Sequence, residues 1–321
     1  MKLTKLDSAA VIAIQECMAV KKNEKILVIT DEQKREIGYS LYKNAIRLGY
    51  RSLFVEMKSG KINGEEPPEE IAHLMKQFDV VYIPTAKSLT HTDARRNASK
   101  KGVRIATFPG ITRDVMIRGL NADYKKISRL SIKLKKILEK GKEIRVTAPA
   151  GTDISFKIQG REAIASKGLF HKKGESGNLP TGETFLAPLE GTSNGVFVVD
   201  GSMAGLGLVK GWKIRIEVKN GFAGKITGGP MAKKLVKMLD SVGKNARNIA
   251  EFGIGTNDSV KLSGILLEDE KVMGTVHIAL GNNVSMGGTI NVPIHLDGVI
   301  KEPTVFLDGK VIMDNGKLLV K

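Results

Sequence analysis

The sequence predicts an α/β protein, with an N-terminal parallel-sheet α/β domain followed by an α+β metal-binding domain. Three observations predict it. Short apolar runs alternate with helical stretches through the first third of the chain. After Gly141 the texture changes to short β-prone segments separated by Gly and Asn turns. Histidines and carboxylates then collect in strand-like strings within the last third. The expected boundaries are 1–140 for a Rossmann-like domain without a nucleotide and 141–321 for a catalytic, metal-binding domain.

The N-terminal MKLTKLDSAAVIAIQECMAV reads as an amphipathic helix rather than a signal peptide, because Gln15 and Glu16 break its short apolar run and no cleavage site is evident. Lys25 to Thr30 is a buried strand. Asp31 is placed to cap a helix carrying Ile37, Leu41, Ala45 and Leu48, which Gly49 stops. Ser52 to Glu56 is a second strand, and Pro67 or Pro68 opens a helix through Leu74. Val80 to Ile83 and Val103 to Ala106 are further strands, with a helix near 91–101 between them. Residues 121–140 form a basic helix linking the halves. Strands follow at 144–148, 153–158, 196–200 and 213–218, then a helix from about Pro230 to Ala250 with Met231, Leu235, Met238 and Leu239 on one face. Asp308-Gly309 and Asn315-Gly316 mark hairpins.

Composition removes several classes. Apolar residues make up 41% and charged residues 26% of 321, so the chain is globular rather than disordered. No apolar run approaches about 18 residues, so no membrane helix is expected. The single cysteine, Cys17, allows no intrachain disulfide and no paired-cysteine metal knuckle, and a cytoplasmic protein is the default expectation. The net charge of +17 is uneven: residues 95–145 carry a net +12 and residues 250–321 a net −3. A basic stretch can bind nucleic acid. With aromatics at 5%, stacking platforms are scarce, and a solvated helix surface is the preferred reading. Nucleic acid is not an expected partner.

Two common signatures fail. The first strand is followed by Asp31-Glu32-Gln33, without the glycines that let a pyrophosphate approach backbone. Gly191-Thr192-Ser193-Asn194-Gly195 matches GxSxG, but a strand rather than a helix follows, so Ser193 is not read as a nucleophile. His91 is read as structural.

The chemistry concentrates around His277 and His295. Both sit among apolar neighbours on strand-like stretches, where a titratable ring needs a partner. In His295-Leu296-Asp297 the period of two puts imidazole and carboxylate on one face, a donor pair suited to Zn²⁺, Co²⁺, Mn²⁺ or Fe²⁺. Glu251, at the end of the expected long helix, and Glu183 in NLPTGETF add carboxylates, each of which alone could be a cap or surface group.

The strings NLPTGETFLAP, EFGIGTN, DEKVMGTVHIALG and HLDG resemble those of the thermophilic metal-dependent aminopeptidase family, which includes aminopeptidases T and S and is often named leucyl aminopeptidase. They occur in the family's order across residues 178–298. The resemblance implies a homodimeric hydrolase acting on peptide substrates through two divalent ions (Zn²⁺, Co²⁺ or Mn²⁺) and an activated bridging water. It implies Glu183 and Glu251 as ligands, one of them the base, with Glu270, His277, His295 and Asp297 completing the set. Glu268 and Asp269 compete with Glu270 for its role.

The sequence departs from that pattern in two places. The family's tyrosine after the HIALG string is missing from Asn282-Asn283-Val284-Ser285-Met286, so Asn282 or Asn283 would have to replace it, or the chemistry differs. The interval from His277 to His295 is also short for the family. An alternative therefore stands beside the aminopeptidase. Ring-cleaving dioxygenases that resemble this family hold a single Fe²⁺ through two histidines and one carboxylate, which here would be His277, His295 and Asp297. A third reading is a non-enzymatic binding protein using residues 95–145.

Overall fold

The structure, a computed structural model, describes residues 3–320. The chain forms two compact units: residues 1–128 with 166–181, and residues 129–165 with 182–321. This division differs from a single cut at 140/141. The helix Tyr124–Leu138 passes from one unit to the other along its own length, and a later segment returns to the first unit to complete its sheet. The class is mixed α/β, with one parallel sheet and two antiparallel ones.

In the first unit five parallel strands lie in the order Arg51–Met57, Lys25–Asp31, Val80–Ile83, Arg104–Thr107 and Ser176–Asn178. The inner strands are buried along almost their whole length, which is why they read as continuous apolar runs. Asp31 does not cap the next helix directly, because that helix begins at Arg35. Its carboxylate instead accepts the backbone N–H groups of Gln33 (3.2 Å), Lys34 (3.0 Å) and Ala86 (2.6 Å). In an open parallel sheet that crevice, between strands whose connections run in opposite directions, is where a bound anion would sit. Here a side chain of the protein satisfies the donors.

The first helix, Lys5–Ile12, opens on a reciprocal cap between Thr4 and Asp7 and runs into one π-helical turn, Ala13–Cys17. Asp7 also accepts from Ser40 Oγ (3.1 Å) and Asn44 Nδ2 (2.8 Å), and Lys43 Nζ lies 2.9 Å away.

The second unit holds an eight-stranded and a seven-stranded antiparallel sheet. The eight-stranded sheet runs Phe222–Thr227, Ile214–Lys219, Asn194–Val199, Thr152–Lys157, Glu143–Ala148, Thr304–Leu307, Lys310–Asp314 and Lys317–Leu318. Its last two hairpins turn at Asp308-Gly309 and Asn315-Gly316, all four residues with positive φ, as tight primed turns require. The centre of the seven-stranded sheet is the run Ser202–Met203, His295–Lys301, Thr275–Gly281, Ile249–Gly255 and Glu183–Leu186. Alternation divides that sheet cleanly. Phe252, Ile254, Ile278, Leu280 and Ile300 point into an apolar core shared with Ile144, Val146, Ile154 and Phe156. The rings of Phe156 and Phe252 lie 5.4 Å apart.

The expected helix from Pro230 to Ala250 is shorter. It spans Gly229–Asp240, buries Ala232, Leu235 and Leu239, and stops before Gly243, whose φ of 105° no helix accommodates. A 3₁₀ turn, Lys244–Arg247, leads into the strand Ile249–Gly255. Glu251 thus sits on a strand, not at a helix end. Ser193 is buried on the turn before strand Asn194–Val199, so the GxSxG string forms no nucleophile elbow. Among the described residues no helix is long and apolar enough to cross a membrane.

Replacing Asp7 with Ala removes a cap and strands buried donors on Ser40 and Asn44, and should destabilise the fold by about 2–4 kcal/mol in urea denaturation. Burial alone would raise the Asp7 pKa, but Lys43, Thr4, Asn44 and Ser40 hold it well below its usual 3.8. Its contribution is therefore present above about pH 4 and is lost as the pH falls below that. In Asp7→Asn this part of the acid-induced loss of stability should disappear.

Candidate metal centre

The face of the seven-stranded sheet opposite the apolar core carries five of the six candidate residues; the sixth, Glu270, lies off the sheet, just after the short helix Leu266–Asp269. Pairing sets their alignment: Gly255 lies opposite Glu183, Gly253 opposite His277, Glu251 opposite Ala279, Ala279 opposite Asp297, and Gly281 opposite His295. Directly paired residues point to the same side, so four neighbouring strands present donors to one patch. A bulge at Ala250 shifts the register and aims Glu251 between the two histidine strands.

The small residues between the donors are a steric necessity. A Cβ on Gly253 would overlap the His277 imidazole, and one on Gly255 would overlap the backbone carbonyl of Val272. Their absence lets the His277 ring lie across the neighbouring strand. Its Nε2 is 3.1 Å from Glu251 Oε1 and 3.7 Å from Glu183 Oε2. His295 Nε2 is 3.1 Å from the other Glu251 oxygen and 3.5 Å from Asp297 Oδ1. Glu251 therefore stands between the two rings. Glu251, His295 and Asp297 each offer a ligand atom within 4.8 Å of the others.

His295 is oriented from behind. Its Nδ1 lies 2.7 Å from the backbone carbonyl of Asn282. When the ring is neutral, donation there keeps the proton on Nδ1 and turns the Nε2 lone pair toward the cluster, the arrangement of a metal-ligating histidine. The loop bearing that carbonyl is tied down by Glu190, which accepts from Asn283 Nδ2 (2.9 Å) and Thr289 N (2.8 Å) and is paired with Arg161. Asn282 Nδ2 donates within the same loop, to Asn291 Oδ1 (3.0 Å) and the Val292 carbonyl (2.9 Å). The amides of Asn282 and Asn283 are thus engaged in holding the loop, not in replacing the missing tyrosine. His91 lies exposed in the first unit, beside the helix cap Thr92.

Glu183 and Glu270 have a different partner. Both bond the ammonium of Lys271, which is 1% exposed and lies 2.9 Å from Glu183 Oε1. The sequence reading missed this lysine. The one available signal was a cation next to a candidate ligand in an otherwise acidic string, Glu268-Asp269-Glu270-Lys271. Glu268 and Asp269 point elsewhere: both accept from Ser263, and Asp269 also accepts from the Gly264 backbone.

The electrostatics follow from this crowding. Burial raises Glu183, and it pushes Glu270 up to about 8. Burial opposes charge on Lys271, but Glu183 and Glu270 outweigh it and hold the ammonium protonated. Burial likewise works against Glu251 and Asp297, yet the histidines keep Glu251 low and Asp297 well below its usual range. Both imidazoles are raised against the cost of burial, His277 to about 9 by its bond to Glu251 and by Glu183. Asp297 Oδ1, Glu183 Oε2 and His277 Nδ1 are buried and make no hydrogen bond. An anionic oxygen left in that state asks for a cation. The donor set of imidazole and carboxylate fits a divalent first-row metal.

The sequence profile of the family described as NicX, 2,5-dihydroxypyridine 5,6-dioxygenase, matches residues 9–320. The chain belongs to this family. A Pseudomonas putida KT2440 protein named 2,5-dihydroxypyridine 5,6-dioxygenase is 24% identical over 247 residues, covering 72% of this chain and 69% of its own. The solved structure of 2,5-dihydroxypyridine dioxygenase from the same organism superposes with a TM-score of 0.86 at 18% identity, over 100% of this chain and 99% of its own. AmpT from Thermus thermophilus superposes less closely, with a TM-score of 0.69 at 18% identity, over 98% and 99%. The aminopeptidase resemblance is thereby reduced to a shared fold.

This corrects the expected function. The reading as a metalloaminopeptidase, a hydrolase or protease acting on peptides, is overturned by the NicX match over nearly the whole chain. The non-enzymatic reading of residues 95–145 gives way to the same finding. The finding agrees with the ring-cleaving alternative.

Two outcomes are expected. In the metal-free protein a cation reaching His277 Nε2 must displace a proton, so divalent-metal affinity should rise with pH toward about 9, with proton release seen by calorimetry in buffers of different ionisation enthalpy. Affinity that is flat between about pH 6 and 9 would exclude His277 as a ligand. Gly253→Ala should push the His277 ring off Glu251 at a cost of about 1–3 kcal/mol and weaken metal retention after desalting.

Proposed function

We propose that this chain is an Fe²⁺-dependent dioxygenase that opens a dihydroxylated pyridine ring. His277, His295 and Asp297 are the proposed donors to a single iron. The observation that carries the reading is the NicX match over residues 9–320, which spans the whole donor cluster. Two imidazoles and one carboxylate are a set that leaves coordination positions for dioxygen and substrate.

Bound iron supplies the one-electron chemistry by which dioxygen reacts with a closed-shell aromatic ring. The protein supplies the rest. His295 is held in one tautomer by the Asn282 carbonyl. Glu251 is kept ionised between the two rings and is the group placed to take the hydroxyl proton of an incoming dihydroxypyridine. Burial of His277, Glu251 and Asp297 excludes water, which strengthens each of these interactions and protects a reactive ring from side reactions. Electron-rich heteroaromatic diols suit such a site because their hydroxyls ionise readily and offer a second point of attachment.

The test is oxygen uptake by Fe²⁺-reconstituted protein with 2,5-dihydroxypyridine, together with loss of the ring's ultraviolet absorbance. Wild-type protein should turn over and should leave amino-acid amides intact. His295→Ala and Asp297→Asn should lose iron and roughly 10³-fold or more in turnover while keeping their circular dichroism. Iron-loaded wild type that consumes no oxygen with any dihydroxypyridine would sink the reading.

A further inference from the structure

Lys271 is a buried cation that the proposed chemistry does not use. Its ammonium contacts Glu183 and Glu270, two residues that the aminopeptidase resemblance implied as ligands for a pair of ions. We infer that Glu183 and Glu270 form a latent second cation site and that the Lys271 ammonium is its built-in occupant, which limits the centre to one divalent ion. The inference rests on the metal-centre part of the reading above, not on ring cleavage.

Three observations carry it. The first is position. Glu183 is shared between the two halves of the cluster: Oε1 is 2.9 Å from Lys271 Nζ, and Oε2 is 3.7 Å from His277 Nε2. The ammonium thus lies on the far side of a carboxylate that faces the histidine half. The second is charge. Glu183, Glu251, Glu270 and Asp297 contribute four carboxylates to a buried patch. With all four ionised, one divalent ion and one ammonium leave a charge near −1 and one divalent ion alone about −2; with Glu270 protonated the counts become about 0 and −1, so in either state the ammonium removes one unit of buried negative charge that a low-dielectric interior penalises. The third is anchorage. Lys271 is not a long surface side chain that happens to reach inward. Its carbonyl accepts from Asn257 N (3.0 Å) and its N–H donates to the Glu268 carbonyl (3.0 Å), so both ends of the residue are fixed. A lysine held in this way is an ion with a covalent tether: it cannot be chelated or exchanged.

The consequence is selective. A second metal would have to expel a tethered ammonium from between two carboxylates. Removing the charge while keeping the volume should open that position. The experiment loads wild type, Lys271→Met, Lys271→Arg and Glu270→Gln with excess Mn²⁺ or Zn²⁺, desalts them and counts metal per chain by elemental analysis. Wild type and Lys271→Arg should retain one equivalent, and Lys271→Met should retain two. Glu270→Gln should keep its single ion, because Glu270 serves the ammonium and not the metal.

Lys271→Met that is folded by circular dichroism and still holds one equivalent would overturn the inference. So would two equivalents in wild type, or loss of the single ion in Glu270→Gln; these last two keep the test decisive if the methionine variant does not fold. A wild type that holds one tight ion but lacks oxygen uptake would leave this inference standing and sink only the dioxygenase reading. A wild type that holds none would sink the metal centre and this inference together.

Discussion

The constraint on which the second unit depends is the burial of acid. Three carboxylates and two imidazoles share one face of a sheet whose central strands are almost wholly inaccessible to solvent, and a fourth carboxylate, Glu270, joins the cluster from outside the sheet. Unpaired, each such charge would cost several kcal/mol. The local sequence is organised around this problem. Glycines at 253 and 255 clear space for a ring and for a neighbouring backbone. A bulge turns Glu251 toward both histidines. A lysine with almost no exposed surface sits between the two acids furthest from His295 along the cluster's chain of contacts. The opposite face is apolar and dense, so the donors stand on a floor that cannot flex to relieve repulsion.

Seen this way, a dioxygenase family and an aminopeptidase can share a fold without sharing a reaction. The strings that resemble the aminopeptidases encode the sheet face: the glycines, the strand register and the positions from which carboxylates and imidazoles project. They say little about how many cations that face carries. The inference drawn above assigns that limit to a neighbouring residue of another type, Lys271. Function lives in such additions to a scaffold rather than in the scaffold itself.

Much of the fold was legible because period and burial agree. The two central parallel strands of the first unit, Lys25–Asp31 and Val80–Ile83, read as apolar runs, and the Asp-Gly and Asn-Gly turns marked two hairpins at the C-terminus. The long helix was overextended because Val242, Ala246 and Ala250 continue an apolar rhythm past Gly243; only the backbone conformation at that glycine reveals the break. The fifth parallel strand, Ser176–Asn178, could not be read from Gly and Ser, which carry no strand signal, and its pairing partner is distant in sequence. The six acids and histidines named from the strings are joined by one run of contacts in the structure. Lys271 was not among those named, because a lysine in an acidic stretch ordinarily faces water. Nor was the Asn282 carbonyl, which as main chain leaves no trace in residue type.

That last contact has a genetic consequence. Where a partner side chain fixes a histidine tautomer, one codon change can delete it. The acceptor behind His295 is a peptide oxygen. It is supplied whatever residue occupies position 282, so no point substitution there abolishes it outright. Only a change in the length or path of the 282–294 segment can. Substitutions in this part of the protein that leave the loop-holding amides of Asn282 and Asn283 and the glycines at 281 and 288 in place should therefore be tolerated, while insertions and deletions are not.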